Sequence, residues 1–206
     1  MAQLFDSETR MRAVSGVVFV AVMMGGIYLG QWTNAALWLV IGALAVREFR
    51  QVDRLRVGLF IWFLLIAALN GTMPMAGGTY EVLQVFGLVW MIWANDTGAY
   101  LVGKPLGRHK LWPRISPGKS WEGFVGGLLA AAAVAGLIFG WSLMWVGAAI
   151  GALATAGDLT QSAWKRKLGI KDSGNLIPGH GGILDRFDGF LYAAPAYWAI
   201  LYIFFP

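Results

Sequence analysis

The sequence predicts an all-α, polytopic transmembrane helical bundle of about seven spans with a cytoplasmic N-terminus. Composition is the first reason: the 206 residues are 58% hydrophobic and only 13% charged, far more apolar than a soluble domain of this size. The second is that the apolar residues lie in long charge-free runs, at 13–46, 57–80 and 123–157. The third is charge placement. With the N-terminus in the cytoplasm, the loops 47–56, 104–122 and 158–188 share its side, and all 16 Lys and Arg fall there, leaving Glu81 as the sole charge opposite. Lys and Arg in short loops set orientation, so this one-sidedness fixes the expected topology and puts polar chemistry on the cytoplasmic face.

Residues 1–12 read as a polar cytoplasmic or interfacial tail. The run from Ala13 to Val46 continues too far for a signal peptide and reads as an anchor that stays. It is long enough for two helices of ~17 residues, near the lower limit for crossing the hydrocarbon, with a turn at Gln31-Trp32-Thr33-Asn34. Residues 47–56 form a basic loop, Val57 to Leu69 a third span, and 70–78 a turn on the far side. A short fourth span runs from Val82 to about Asn95, which places Asp96 at its end, where an acid is costly and functional by default. A second basic loop covers 104–122, a hairpin of spans covers 123–157 with its turn near Gly140-Trp141-Ser142, and 189–205 make the last span. With no internal repeat or low-complexity segment, 1–206 reads as one membrane domain. Within it, 1–93 is mainly anchor and lipid-side spans, and 94–190 carries the motifs.

The chain has no Cys, so a metal must be held by oxygen or by the two His, which favours magnesium over zinc. The net charge of +5 sits in short loops between apolar runs and not on a soluble face. That points to an anionic lipid surface and an anionic nucleotide, not to nucleic acid. The stretch from Gly157 to Phe190 gathers Asp158, Asp172, Asp185 and Asp188 beside Lys165, Arg166, Lys167, Lys171 and Arg186, with His180 among glycines. Carboxylates that hold a hard cation, next to cations that neutralise phosphate oxygens, suit a magnesium-bound polyphosphate.

The run Ser162-x-x-Lys165-Arg166-x4-Lys171-Asp172-x-Gly174-x2-Ile177-Pro178-x-His180-Gly181-Gly182-Ile183-x-Asp185-Arg186-Phe187-Asp188 resembles the defining motif of the CDP-diglyceride synthetases, also called phosphatidate cytidylyltransferases. Trp164 departs from the aliphatic residue or Phe usual at its position. Two further blocks, Asn95-Asp96-Thr97-Gly98-Ala99-Tyr100 and Ile115-Ser116-Pro117-Gly118-Lys119-Ser120-Trp121-Glu122-Gly123, also resemble the family. In the second, Gly118 replaces a usual Lys and Ser120 a usual Thr. Read without the resemblance, the first block is a helix end with a polar turn, and the second is a Ser-Pro loop in which Glu122 caps a helix N-terminus.

The resemblance implies transfer of a cytidylyl group from CTP to phosphatidic acid, in a bacterial cytoplasmic membrane with the site facing the cytoplasm. It implies Mg2+ held by Asp158 and Asp185; a second cation, monovalent or not, stays open. Asp96, Asp158, Asp185 and Asp188 are the implied catalytic acids. Ser116, Lys119, Ser162, Lys165, Arg166, Lys171, Asp172, His180 and Arg186 are the implied substrate-binding residues, although His180 could equally hold the turn by a hydrogen bond. A homodimer stays open. So do a polyprenol kinase, a CDP-archaeol synthase, a transporter and a non-catalytic scaffold. Against the transporter stands the expectation that no span carries a charge at its centre.

Overall fold

Apolar runs of this length satisfy their backbone groups as helix, and the computed structural model, which describes residues 7–48, 58–59, 61–66, 81–178 and 181–204, is dominated by helices. The chain separates into two units, Met1–Pro74 with Asp172–Arg186, and Met75–Lys171 with Phe187–Pro206. Among the described residues, three helical segments are long and apolar enough to cross a membrane: Thr9–Tyr28, Trp121–Phe139 and Trp141–Lys167.

The first unit begins with α1 (Ser7–Tyr28) and α2 (Gln31–Glu48). Part of the expected polar tail is therefore helical. The turn falls at Leu29-Gly30, just ahead of Gln31, because Gly30 takes a φ of +124° that few other residues tolerate. Its carbonyl then accepts Thr33 Oγ1 at 2.8 Å and the Asn34 amide at 3.0 Å, starting α2. At Gly42 a methyl would overlap Phe63, so the missing side chain lets the helical stretch 61–66 lie close against α2. The rest of the expected third span, most of the first basic loop and the turn at 70–78 lie outside the described residues.

The second unit holds α3 (Val82–Leu106), a β-hairpin of β1 (Lys110–Trp112) and β2 (Ser116–Ser120), α4 (Trp121–Phe139), a 3-10 turn (Trp141–Leu143), α5 (Met144–Lys167) and α6 (Phe190–Phe204). Two helices outrun their expected ends. The 25 residues of α3 reach ~37 Å at ~1.5 Å per residue. Asp96 consequently lies in the helix interior and not at its end, and a helix does carry an acid near its middle. Similarly, α5 continues past Asp158 to Lys167, so Asp158 does not close it.

What lets α3 run on is close packing against α4. A methyl at Gly98 would come within 2.7 Å of the Gly126 carbonyl oxygen, and one at Gly123 within 2.8 Å of the Ala99 carbonyl oxygen. Small residues of this kind allow helix backbones to approach where lipid offers no hydrophobic drive. The predicted turn near Gly140 is present, with Gly140 at φ +102°. The expected second basic loop contains a short hairpin at 110–120. It pairs antiparallel with Lys110 opposite Ser120 and Trp112 opposite Ser116, and its few residues carry no alternating apolar pattern that would have signalled strand. Tyr197 of α6 donates its hydroxyl to the Gln84 carbonyl of α3 at 2.9 Å.

Candidate active site

The extension of α5 turns a presumed loop into a helical face. Asp158, Ser162 and Lys165 follow at helical spacing, and Ser162 Oγ donates to Asp158 Oδ1 at 3.1 Å. Lys119 Nζ meets the other carboxylate oxygen, Oδ2, at 2.5 Å, with both side chains about three-quarters buried. Lys165 is buried, whereas Arg166 is exposed and donates from Nη1 to the Ile170 carbonyl at 3.0 Å.

Lys119 is delivered by the hairpin, whose end is fixed from two sides. Ser120, not Glu122, is the N-cap of α4, accepting the Gly123 amide at 3.1 Å. Glu122 stands in the first helical turn, where its charge is favourable, and pairs with His109 Nδ1 at 2.7 Å. The Trp121 amide donates to the His109 carbonyl at 2.9 Å, which closes the hairpin onto the helix.

Asp96, Lys119 and Asp158 line one cavity of about 520 Å³, together with Asn95, Tyr100, Lys104 and Thr155. Asn95 is buried and donates from Nδ2 to Thr155 Oγ1 at 3.2 Å. Methyls at Gly127 and Gly151 would stand 2.6 and 2.9 Å from its Oδ1, so those glycines make its room. Lys104 Nζ donates to the Tyr100 hydroxyl at 2.9 Å. None of Asn95, Tyr100, Lys104 and Thr155 was assigned from sequence. The signal was the four-residue step from Asp96 through Tyr100 to Lys104, legible only once α3 is known to continue past Asn95.

Asp188 is partly buried in the turn before α6. Burial first, then the Asp158 and Asp96 carboxylates, push its carboxyl well above the usual carboxylate range, while Lys165 and Lys119 pull it back. Gly157 is what lets this turn approach α5, since a methyl there would stand 2.5 Å from the Asp188 carbonyl oxygen. Gly157→Ala is therefore expected to cost about 1–3 kcal/mol, the usual cost of overpacking. It should also lower turnover by displacing Asp188. Thermal denaturation and initial rate on the same preparation check this.

The other half of the motif is organised within the first unit. Asp185 Oδ2 accepts the backbone amides of Ser173 at 2.9 Å and Gly182 at 3.0 Å. The Ile177 amide donates to the Gly181 carbonyl at 3.0 Å, and Gly181 takes φ +79°. From α2, Glu48 Oε2 accepts Ser173 Oγ and the Leu184 amide, each at 3.2 Å. Asp172 and Arg186 are exposed, and His180 lies outside the described residues.

The second unit thus brings together Asp96, Lys119, Asp158, Ser162, Lys165 and Asp188. Ser116 begins β2 and Lys171 is exposed; neither lines the cavity. Asp158 belongs to the second unit and Asp185 to the first. Among the described residues no three His, Asp or Glu side chains converge as a ready metal cage. Magnesium does not demand one, because it keeps several waters and binds through one or two carboxylates plus substrate phosphates. The all-oxygen donors here suit that habit.

Apolar helices with carboxylates and lysines gathered at a cavity define a membrane protein with a charged site. Residues 56–204 match the cytidylyltransferase family, and the chain belongs to that family. It is 48% identical over 126 residues to the phosphatidate cytidylyltransferase of Staphylococcus aureus (strain COL), covering 57% of this chain and 47% of that protein. To the phosphatidate cytidylyltransferase of Bacillus subtilis (strain 168) it is 44% identical over 136 residues, covering 61% of this chain and 49% of that protein. The chain thus spans about half the length of the curated relatives it matches.

Proposed function

We propose that the protein transfers a cytidylyl group from CTP to the phosphate of phosphatidic acid, forming CDP-diacylglycerol and pyrophosphate. The observation that carries this reading is the Lys119–Asp158 pair on the wall of a cavity shared with Asp96, in a chain of this family. The names of the relatives support the choice of substrates. The lipid phosphate is already an anionic nucleophile, so in-line attack at the α-phosphorus requires positioning and charge neutralisation and no covalent enzyme intermediate.

Lys119 and Lys165 neutralise phosphate oxygens in this reading, and Ser162 orients Asp158. Asp96 and Asp188 supply further negative charge that keeps a cation at the site. Arg166, Lys171, Asp172, His180, Arg186 and Ser116 complete the substrate-binding set in this reading. Asp158 and Asp185 would hold magnesium, which when bound supplies Lewis-acid stabilisation of the α-phosphate and the leaving pyrophosphate. Labelled CTP should enter the lipid fraction only when phosphatidic acid and magnesium are present, with one pyrophosphate released per lipid. Release of CDP with phosphate moved to a polyprenol would overturn the reading in favour of a kinase. Because α3 carries Asp96 near its middle, a missing central charge no longer argues against a transporter, and this assay takes over that discrimination.

The same reading places seven spans in a bacterial cytoplasmic membrane, with the N-terminus and the site on the cytoplasmic face. The one-sided Lys and Arg distribution supports it. Reporter fusions at Gly77 and Pro206 should register the far side, and one at Arg54 the cytoplasm. Gly77 and Arg54 on one side would refute the topology.

A further inference from the structure

Glu48 ends α2, far in sequence from the motif, yet one of its oxygens holds the motif loop at two points. Its Oε2 accepts Ser173 Oγ and the Leu184 amide. Each of those residues stands beside the Asp185 interactions: the Ser173 amide itself donates to Asp185, and Leu184 precedes it in the chain. The slot is shaped for this side chain, since a methyl at Gly174 or at Gly182 would overlap it. Its second oxygen, Oε1, is buried without a hydrogen-bond partner among the described residues. A buried acceptor left unmade costs stability, so the arrangement is not the one that stability alone would select.

We infer that Glu48 is a positioning residue: it fixes the loop so that the carboxylate of Asp185 is held in one orientation. The inference rests on the proposed reaction only for what Asp185 then does. Removing the Glu48 acceptor frees Ser173 Oγ and the Leu184 amide directly. It also loosens, at one remove, the Ser173 and Gly182 amides that bond to Asp185. Gln keeps an acceptor at the same reach and should largely preserve the loop, whereas Ala should not.

The test is hydrogen exchange of the Ser173, Gly182 and Leu184 amides in magnesium-free protein, for wild type, Glu48→Gln, Glu48→Ala and Ser173→Ala. Turnover against magnesium concentration is read on the same samples. In Glu48→Ala all three amides should exchange at least ~10-fold faster, kcat should fall and half-saturating magnesium should rise by ~10–100-fold, the usual range for partners of a metal ligand. Glu48→Gln should stay within a few-fold of wild type in both readouts. If Glu48→Ala does not fold, Ser173→Ala takes its place, with faster exchange expected at Gly182 and Leu184. Unchanged exchange at Gly182 in whichever of these variants folds would overturn the inference, even if turnover falls. Faster exchange in a protein whose wild type makes no lipid-linked cytidine would uphold the positioning role and refute the reaction instead.

Discussion

Asp158→Asn and Asp185→Asn are each expected to lower turnover on the order of a hundred- to a thousand-fold, the scale seen when one preorganised charge-stabilising group is lost. The double variant should be little worse than either single one, because groups that act as a unit are strongly non-additive. For Asp158 the cause is local. Its two oxygens meet Lys119 and Ser162, so a neutral amide in its place removes the ion pair and releases the Lys119 ammonium from its fixed position. For Asp185 the cause is the replacement of a charged carboxylate, one oxygen of which accepts two backbone amides, by a neutral carboxamide whose nitrogen can only donate. Lys167→Ala, outside the motif, should cost little and serves as the control. Initial rates against magnesium, with melting temperature recorded alongside, decide it. Wild-type turnover in Asp185→Asn would defeat the metal assignment, and loss of folding in place of rate would return both acids to a structural role.

Asp188→Asn should remove most turnover and yet raise the melting temperature of the magnesium-free protein by a few degrees. A chain of 150–250 residues shifts ~2–4 °C per kcal/mol. Burial and the neighbouring Asp158 and Asp96 carboxylates disfavour ionisation of Asp188, so its folded-state pKa lies above the unfolded value. The folded protein therefore holds the proton more tightly. Stability is greatest below the ordinary carboxylate range near ~4 and declines as pH rises from there through the raised folded value. Asn removes that decline. Melting curves of wild type and variant in chelator, taken across this window, should diverge as pH rises, and parallel curves would remove the strain argument. Added magnesium should narrow the gap by offsetting the crowded charge.

How far the sequence could be read depended on which interactions were local. Helical, membrane-suited character, the Gly140 turn and the motif acids were legible because apolar run length, glycine and charge are properties of short segments. Helix ends were less so. Nothing at Asn95 or Asp158 breaks a helix; a polar residue merely looked like the start of a loop. Once α3 and α5 run on, Asp96, Tyr100 and Lys104 share a face, and Asp158 is stacked over Ser162.

By itself, then, the sequence determined the class of fold, the clustering of cationic charge between long apolar runs and the set of acids and bases at its motifs, since these follow from composition and spacing along the chain. Only the tertiary structure decided which of them meet. Glycines at 98, 123 and 126 let α3 and α4 close together, and the hairpin swings Lys119 onto Asp158. Glu48 reaches Ser173 across 125 positions of chain. Contacts of that kind depend on backbone approach and side-chain volume between distant segments, which no periodicity along a single stretch records.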